Sequence, residues 1–162
     1  MALTYTPGGE DDNSYAELEE ANAYFEDRLN TTEWEAASDT NKQRALVTAT
    51  QRIDEEQFFG GKTNSGQALK WPRTGVLDED GNEFDPATIP ERVKQAVYIT
   101  ALELLRADFL AENYMGNFSY FSAGSVQIKQ FTQTSAGRLP ADAQRLLRHV
   151  MTSTGGGRVV RA

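Results

Sequence analysis

The chain contains no cysteine, which excludes disulfides, thiolate nucleophiles and cysteine-ligated metals. It has a single histidine, His149, and therefore lacks the several ligands from which ordinary zinc sites are built. A Ser-His-Asp triad would have to use that histidine, yet no Gly-x-Ser-x-Gly elbow presents a nucleophile to it. His149 reads instead as a surface or helix-end residue. No apolar run approaches the ~18 residues of a membrane span. Met1 to Gly9 also lack the basic start and apolar core of a signal peptide. An intracellular, soluble protein with no membrane partner is expected. Basic residues are scarce as well, 16 Lys and Arg against 24 Asp and Glu, for a net charge of −8.

Two short motifs imitate ligand sites. Gly61-Lys62-Thr63 resembles the end of a phosphate-binding loop, but Glu56 stands where the first glycine is needed and a helical pattern precedes it instead of a strand. Asp78-Glu79-Asp80-Gly81-Asn82-Glu83 resembles a calcium loop, but its glycine comes fourth instead of sixth and no twelfth-position glutamate follows. It reads as a solvated turn. The remaining carboxylates form no identifiable acid/base pair. No enzyme activity, cofactor or metal is expected, and no catalytic residue is assigned.

At 162 residues the chain is long enough to bury roughly two thirds of its unfolded surface in one domain. Charge is distributed unevenly along it. Residues 1–60 hold 14 acids and 4 bases, and residues 121–162 hold 1 acid and 6 bases, so an acidic body is followed by a basic end. Such polarity suits a subunit whose end meets an acidic surface on another protein or on the next copy of itself. Solvated helix faces that merely differ in composition would look the same.

Residues 1–13, with Pro7-Gly8-Gly9, read as an arm that is mobile or bound elsewhere. Ser14-Tyr15-Ala16-Glu17 has the form of a capping box, and Tyr15, Leu18, Ala21, Phe25 and Leu29 follow at helical spacing, predicting a first helix over about 15–29. Thr32-Glu33-Trp34-Glu35 repeats the signature for a short turn. Ser38 or Asp39 caps a second helix with Ala45, Leu46, Ala49 and Ile53 on one face, stopped by Gly60-Gly61. A third helix runs from Glu91 to about Glu112 on the stripe Val93, Val97, Ala101, Leu104 and Leu105. Phe118 to Ser122 and Ser125 to Phe131 flank Ala123-Gly124 as a β-hairpin over about 117–133. Pro140 opens a last helix with Ala143, Leu146, Leu147 and Val150 inward. Residues 153–162 read as a flexible tail in which Gly155-Gly156-Gly157 detach Arg158-Val159-Val160-Arg161. The fold class is thus mainly α: a small bundle of about four helices, with a hairpin before the last helix and a long loop between the second and third.

That loop holds Gln67-Ala68-Leu69-Lys70-Trp71-Pro72-Arg73-Thr74-Gly75. A loop this long needs something to fix it, and a buried tryptophan removes a large apolar surface from water. Trp34, Trp71, Pro72 and Arg73 are the expected structural anchors. Trp71 should plug the groove between the second and third helices, with Pro72 stiffening the chain and Arg73 pairing with a nearby acid. Phe118, Tyr120, Phe121 and Phe131 exceed what a short exposed hairpin needs, and with Arg158, Val159, Val160 and Arg161 they are the candidate partner contacts. The hairpin carries only Lys129, with Arg138, Arg145 and Arg148 nearby, a modest basic patch on an acidic chain.

Ser14 to Phe25, Trp34, Lys42 to Asp54, Gln67 to Gly75, Asp80-Gly81 and Ile89-Pro90 follow one another in an order and spacing that resembles the head-tail connector (adaptor, or head-completion) proteins of tailed bacteriophages, a family often labelled DnaT-like single-stranded DNA-binding. The likeness covers roughly residues 14–105. The chain departs from it at Phe58-Phe59-Gly60, where a tryptophan commonly precedes the glycine, and in a longer aromatic segment from Phe109 to Phe121. The resemblance implies a mostly helical virion subunit, assembled in the host cytoplasm. It implies a homo-oligomeric ring, usually twelvefold, that docks on the portal, extends the DNA channel and carries tail or nozzle proteins, with DNA passing through unbound. It also implies that the C-terminal tag docks on the portal. The alternative is a DnaT-like single-stranded DNA-binding replication module.

Overall fold

Two long helices form the frame of the computed structural model, which describes residues 2–106 and 139–152 together with the backbone of residues 118–123 and 126–131. Helix α3, Asp39–Glu55, is capped by Ser38, whose Oγ accepts the Asn41 backbone N–H at 3.4 Å. Its buried face is Ala45, Leu46, Ala49, Thr50 and Ile53. Helix α4, Glu91–Arg106, buries Val93, Ala96, Val97, Tyr98, Thr100, Ala101 and Leu102, and packs against α3. Leu104 and Leu105 are only half-buried. The stretch to Glu112 lies outside the described residues.

Helix α1, Leu18–Glu26, and the short α2, Thr32–Ala36, lie against this pair. The first helix starts three residues later than the Ser14 capping signature predicts. Ser14, Tyr15 and Ala16 are fully buried, the Tyr15 backbone N–H donates to Thr50 Oγ1 at 3.1 Å, and Ser14 Oγ donates to the Ala16 carbonyl at 2.7 Å. Groups that would open a helical turn are committed to α3 instead. Glu17 takes the N-cap position, with Glu20 accepting its backbone N–H at 3.4 Å. The helix also ends early, so Leu29, expected on the inner face, is 90% exposed.

The last helix, α5, is Ala141–Leu147, with Pro140 at its N-cap; Ala143, Leu147 and Val150 are buried, and the helix packs on α4. Between α3 and α4 lie two-residue strands, β1 Gly61–Lys62 and β2 Arg73–Thr74, paired antiparallel. The hairpin is present: β3, Phe118–Ala123, pairs antiparallel with β4, Val126–Phe131, from Phe118 opposite Phe131 to Ala123 opposite Val126. The architecture is therefore mainly helical, with five helices among the described residues.

Helix α3 stops at Glu55, ahead of the Gly60-Gly61 signal, because residues 57–59 have another partner. Phe59 N–H donates to Val150 O at 3.0 Å, Thr152 N–H donates to Gln57 O at 2.8 Å, and Phe58 bridges Met151 antiparallel. Gly60 follows at φ +70°, where an added Cβ would stand 2.1 Å from the Thr74 carbonyl oxygen, so the chain turns there only with glycine.

The N-terminal arm, expected to be mobile or bound elsewhere, is laid along its own domain over residues 2–13. Thr4 N–H donates to Asn13 Oδ1 at 2.8 Å, Asn13 Nδ2 to Ala2 O at 2.9 Å, and Ala68 N–H to Gly9 O at 3.0 Å, while Leu3 and Tyr5 pack on the core. Asp12 sits under this arm, 4% exposed. Its Oδ1 accepts Thr6 N–H at 3.0 Å, and Oδ2 has no partner. Burial raises its pKa above the ordinary value of 3.8, against the opposing pull of backbone N–H groups at Thr6, Ser14 and Asn13. A raised folded-state pKa means that stability is greatest below the ordinary carboxylate pKa and falls as pH rises through the folded value. Asp12→Asn is expected to raise the melting temperature at neutral pH, with the advantage shrinking as the pH is lowered into the acid range. Thermal melts of both proteins across that range check the sign.

Candidate functional site

The best-built polar constellation surrounds Trp71. The indole is 1% exposed and meets Phe58, just past α3, and Phe84, just ahead of α4, edge-on at centroid distances of 5.6 and 6.4 Å. The Trp71–Pro72 peptide is cis, and Pro72 is buried beside Gly8 of the arm. The loop backbone is tied by side chains. Gln67, 3% exposed, donates through Nε2 to Leu69 O at 2.8 Å and Pro72 O at 3.0 Å, and accepts Asn64 N–H at 2.9 Å. Asp54 Oδ1 accepts both the Tyr15 hydroxyl and the Lys70 N–H, the latter at 2.7 Å, and Tyr15 Oη accepts Trp71 N–H at 3.3 Å.

Arg73 corrects an expectation. Among the described residues it pairs with no acid; its guanidinium serves as a multiple donor to main-chain carbonyls. Nε reaches Phe59 O at 2.7 Å, Nη2 reaches Gly60 O at 2.7 Å and Phe58 O at 3.4 Å, and Nη1 reaches Lys70 O at 3.1 Å. Burial lowers its pKa from the ordinary value, while the Asp54 carboxylate opposes that shift. The acid of this region, Asp54, is used by Tyr15 and Lys70. Burial, reinforced by Asp54, pushes the Tyr15 pKa far up, so the phenol stays protonated and acts as a donor to the carboxylate. The constellation holds a loop in place and presents no accessible nucleophile or proton-transfer group.

Trp34 lies at a second site. Its indole, 2% exposed, meets Phe25 at 4.6 Å with the rings tilted by 40°, and donates through Nε1 to Asn22 Oδ1 at 3.0 Å; the Lys42 ammonium reaches the same oxygen at 3.3 Å. These residues, with Glu26 and Glu35, line an open cleft of about 510 Å³ between α1, α2 and the first turn of α3. The sequence flags Trp34 but not the cleft, because its walls come from three elements that only the fold brings together.

His149 follows α5 at the surface, with Nε2 3.2 Å from Glu79 Oε1, and Glu79 also accepts from Arg92 Nη1 at 3.0 Å. The hydrogen bond and charge of Arg92 hold the Glu79 carboxyl below its ordinary range. The turn over 78–83 is closed by its own side chains: Asp78 Oδ1 accepts Asn82 N–H at 2.8 Å and Asp80 N–H at 2.9 Å. Among the described residues, no group of three or more His, Asp or Glu side chains could hold a metal ion, and no helix is long and apolar enough to cross a membrane. The side chains of Phe118, Tyr120, Phe121 and Phe131, on strands where only the backbone is described, lie outside the described residues, as do Arg158, Val159, Val160 and Arg161.

Cations of the described surface are largely engaged. Lys94 pairs with Glu20 at 2.5 Å, and Arg106 with Glu103 at 2.6 Å and Glu33 at 3.4 Å. Lys62 and Lys70 donate to the carbonyls of Gln67 and Glu56 at 2.9 and 2.8 Å. Residues 2–106 carry 21 acids against 10 bases.

A family model described as "Putative DnaT-like ssDNA binding protein" matches residues 1–162. No curated protein and no solved structure matches the chain.

Proposed function

From the premise that the chain belongs to this DnaT-like family, we propose that it works by binding and not by catalysis, as a structural head-tail adaptor of a tailed bacteriophage. In this reading copies of the chain form a ring, twelvefold as the resemblance implies, that docks on the portal, prolongs the DNA channel and receives tail proteins. The observation that carries it over DNA binding is the electrostatics of the described surface. A protein that grips DNA does so by releasing counterions with free lysines and arginines. Here acids outnumber bases two to one over residues 2–106, and most of the cations with described partners, Lys62, Lys70, Arg73, Lys94 and Arg106 among them, are turned to carboxylates and main-chain carbonyls. Such a surface repels a passing strand, as a conduit should. The buried Trp71 constellation suits the same role, since it fixes a long loop without creating a reactive site.

The family description favours a second reading, single-stranded DNA binding. One pair of measurements separates the two. On the adaptor reading, fluorescence anisotropy at physiological salt gives weak or no binding of single-stranded DNA, and the purified chain joins portal-bearing heads that lack it and makes them competent for tails. Sub-micromolar DNA affinity with a steep salt slope, together with no attachment to heads, would replace the adaptor by a replication module.

A further inference from the structure

We propose that the cleft beside Trp34 is the receiving half of a head-to-tail contact between copies of this chain, and that its occupant is the arginine-bearing segment 153–162 of a second copy. The proposal rests on the adaptor reading in so far as a ring needs two different, complementary surfaces on each subunit.

The cleft has the size and chemistry for a cationic stretch of chain. Its volume of about 510 Å³ exceeds what one side chain fills. Its floor is aromatic, Phe25 and Trp34, and is held rigid because Asn22 Oδ1 is shared between the Trp34 indole and the Lys42 ammonium. Glu26 and Glu35 stand at its edge. Among the described residues neither carboxylate has a cationic partner; Glu35 accepts the Thr31 hydroxyl at 2.6 Å. The one cation in the wall, Lys42, is occupied by Asn22 and by Asp39 at 3.8 Å. Beyond the rim, residues 17–39 hold eight acids and one base, Arg28. A guanidinium entering here meets two carboxylates for forked hydrogen bonding.

Charge complementarity names the occupant. Residues 153–162 carry Arg158 and Arg161, no acid, and a three-glycine spacer. Thr152, the last described residue before the segment, is bonded to Gln57 just past the end of α3, whereas the cleft is at that helix's first turn. At 1.5 Å per residue those points are about 20 Å apart along the helix. The nine residues to Arg161 cover about 30 Å, so the segment is long enough to leave its own domain, and the head-to-tail polarity that a ring needs assigns it to a neighbour's cleft.

Two neutralised variants test the contact in sedimentation experiments on the full chain: a cleft variant, Glu26→Gln with Glu35→Gln, and a tail variant, Arg158→Gln with Arg161→Gln. The four positions are on the surface or in the tail, and unchanged helical spectra and melts are expected. Wild type should self-associate with an affinity that falls as salt rises, and each variant alone should associate about tenfold more weakly or worse. An equimolar mixture should form dimers and stop there, because only one pairing joins an intact tail to an intact cleft. A cleft variant that assembles like wild type, a mixture that stays monomeric, or a monomeric wild type whose tail occupies its own cleft would each overturn the contact. If wild type joins portal-bearing heads while the cleft variant assembles normally, the adaptor reading stands and this contact is refuted.

Discussion

Replacing Trp71 by alanine is expected to cost about 3–5 kcal/mol of stability, the range for removing a large aromatic from a closed core. The indole is essentially inaccessible, and its two aromatic neighbours, Phe58 and Phe84, approach edge-on from segments that follow α3 and precede α4. Trp71 Nε1 is buried without a partner. Trp71→Phe therefore loses ring volume but no hydrogen bond, and should cost less than half as much as alanine. Denaturant melts of the two variants check both the size and the order. A loss below about 1 kcal/mol for alanine would mean that the loop is held by its hydrogen bonds alone.

Arg73→Ala is expected to be comparably damaging, roughly 3 kcal/mol or more, by a different route. Four carbonyls, those of Phe58, Phe59, Gly60 and Lys70, receive this one side chain. Bonds to a charged donor contribute more than neutral ones, and buried acceptors left without a donor carry their full desolvation cost. Arg73→Lys separates charge from geometry. An ammonium keeps the charge but cannot present the planar fork, so lysine should recover less than half of the loss. Hydrogen exchange gives a local reading. The Phe59 amide, bonded to Val150 O, should exchange faster in both variants than in wild type. Equal stability of Arg73→Lys and wild type would show that charge alone suffices.

Helices were legible in the sequence where an apolar stripe and a cap coincide. Ser38 caps α3 and the stripe Ala45, Leu46, Ala49 and Ile53 is buried, because both signals are local. The first helix departs from its local signals at both ends for tertiary reasons. Ser14 and Tyr15 have the right residues for a capped turn, but their polar groups are claimed by Ala16 and by Thr50 and Asp54 of α3. Leu29 fits the helical spacing, yet the chain has already turned and left it in solvent. In the long loop, Trp71 was visible as an anchor by its chemistry. Arg73 was assigned an acid because such pairs are the common pattern, and which carbonyls lack donors is set by a strand partner more than 90 residues away, Phe58 opposite Met151. The cleft beside Trp34 was invisible for the same reason, since no spacing rule relates Asn22, Glu35 and Lys42.

Pairing of residues 57–59 with 150–152 has a consequence for how the protein is made. The Trp71 loop takes its support from both directions along the chain: the arm through Gly9 and Ala68, and the last helix through Phe58 and Met151. A ribosome delivers α1 to α4 long before Ala143, Leu147 and Val150 arrive to cover α4. Until Met151 is released, the part of α4 that receives the last helix is open and the Arg73 fork faces a segment without its strand partner. Non-local pairings of this kind form late, and the half-built domain is the species exposed to proteases and aggregation. Nascent chains stalled before Ala141 should thus be cut readily by a protease that spares the released 162-residue chain, placing the commitment to fold at release of the last helix.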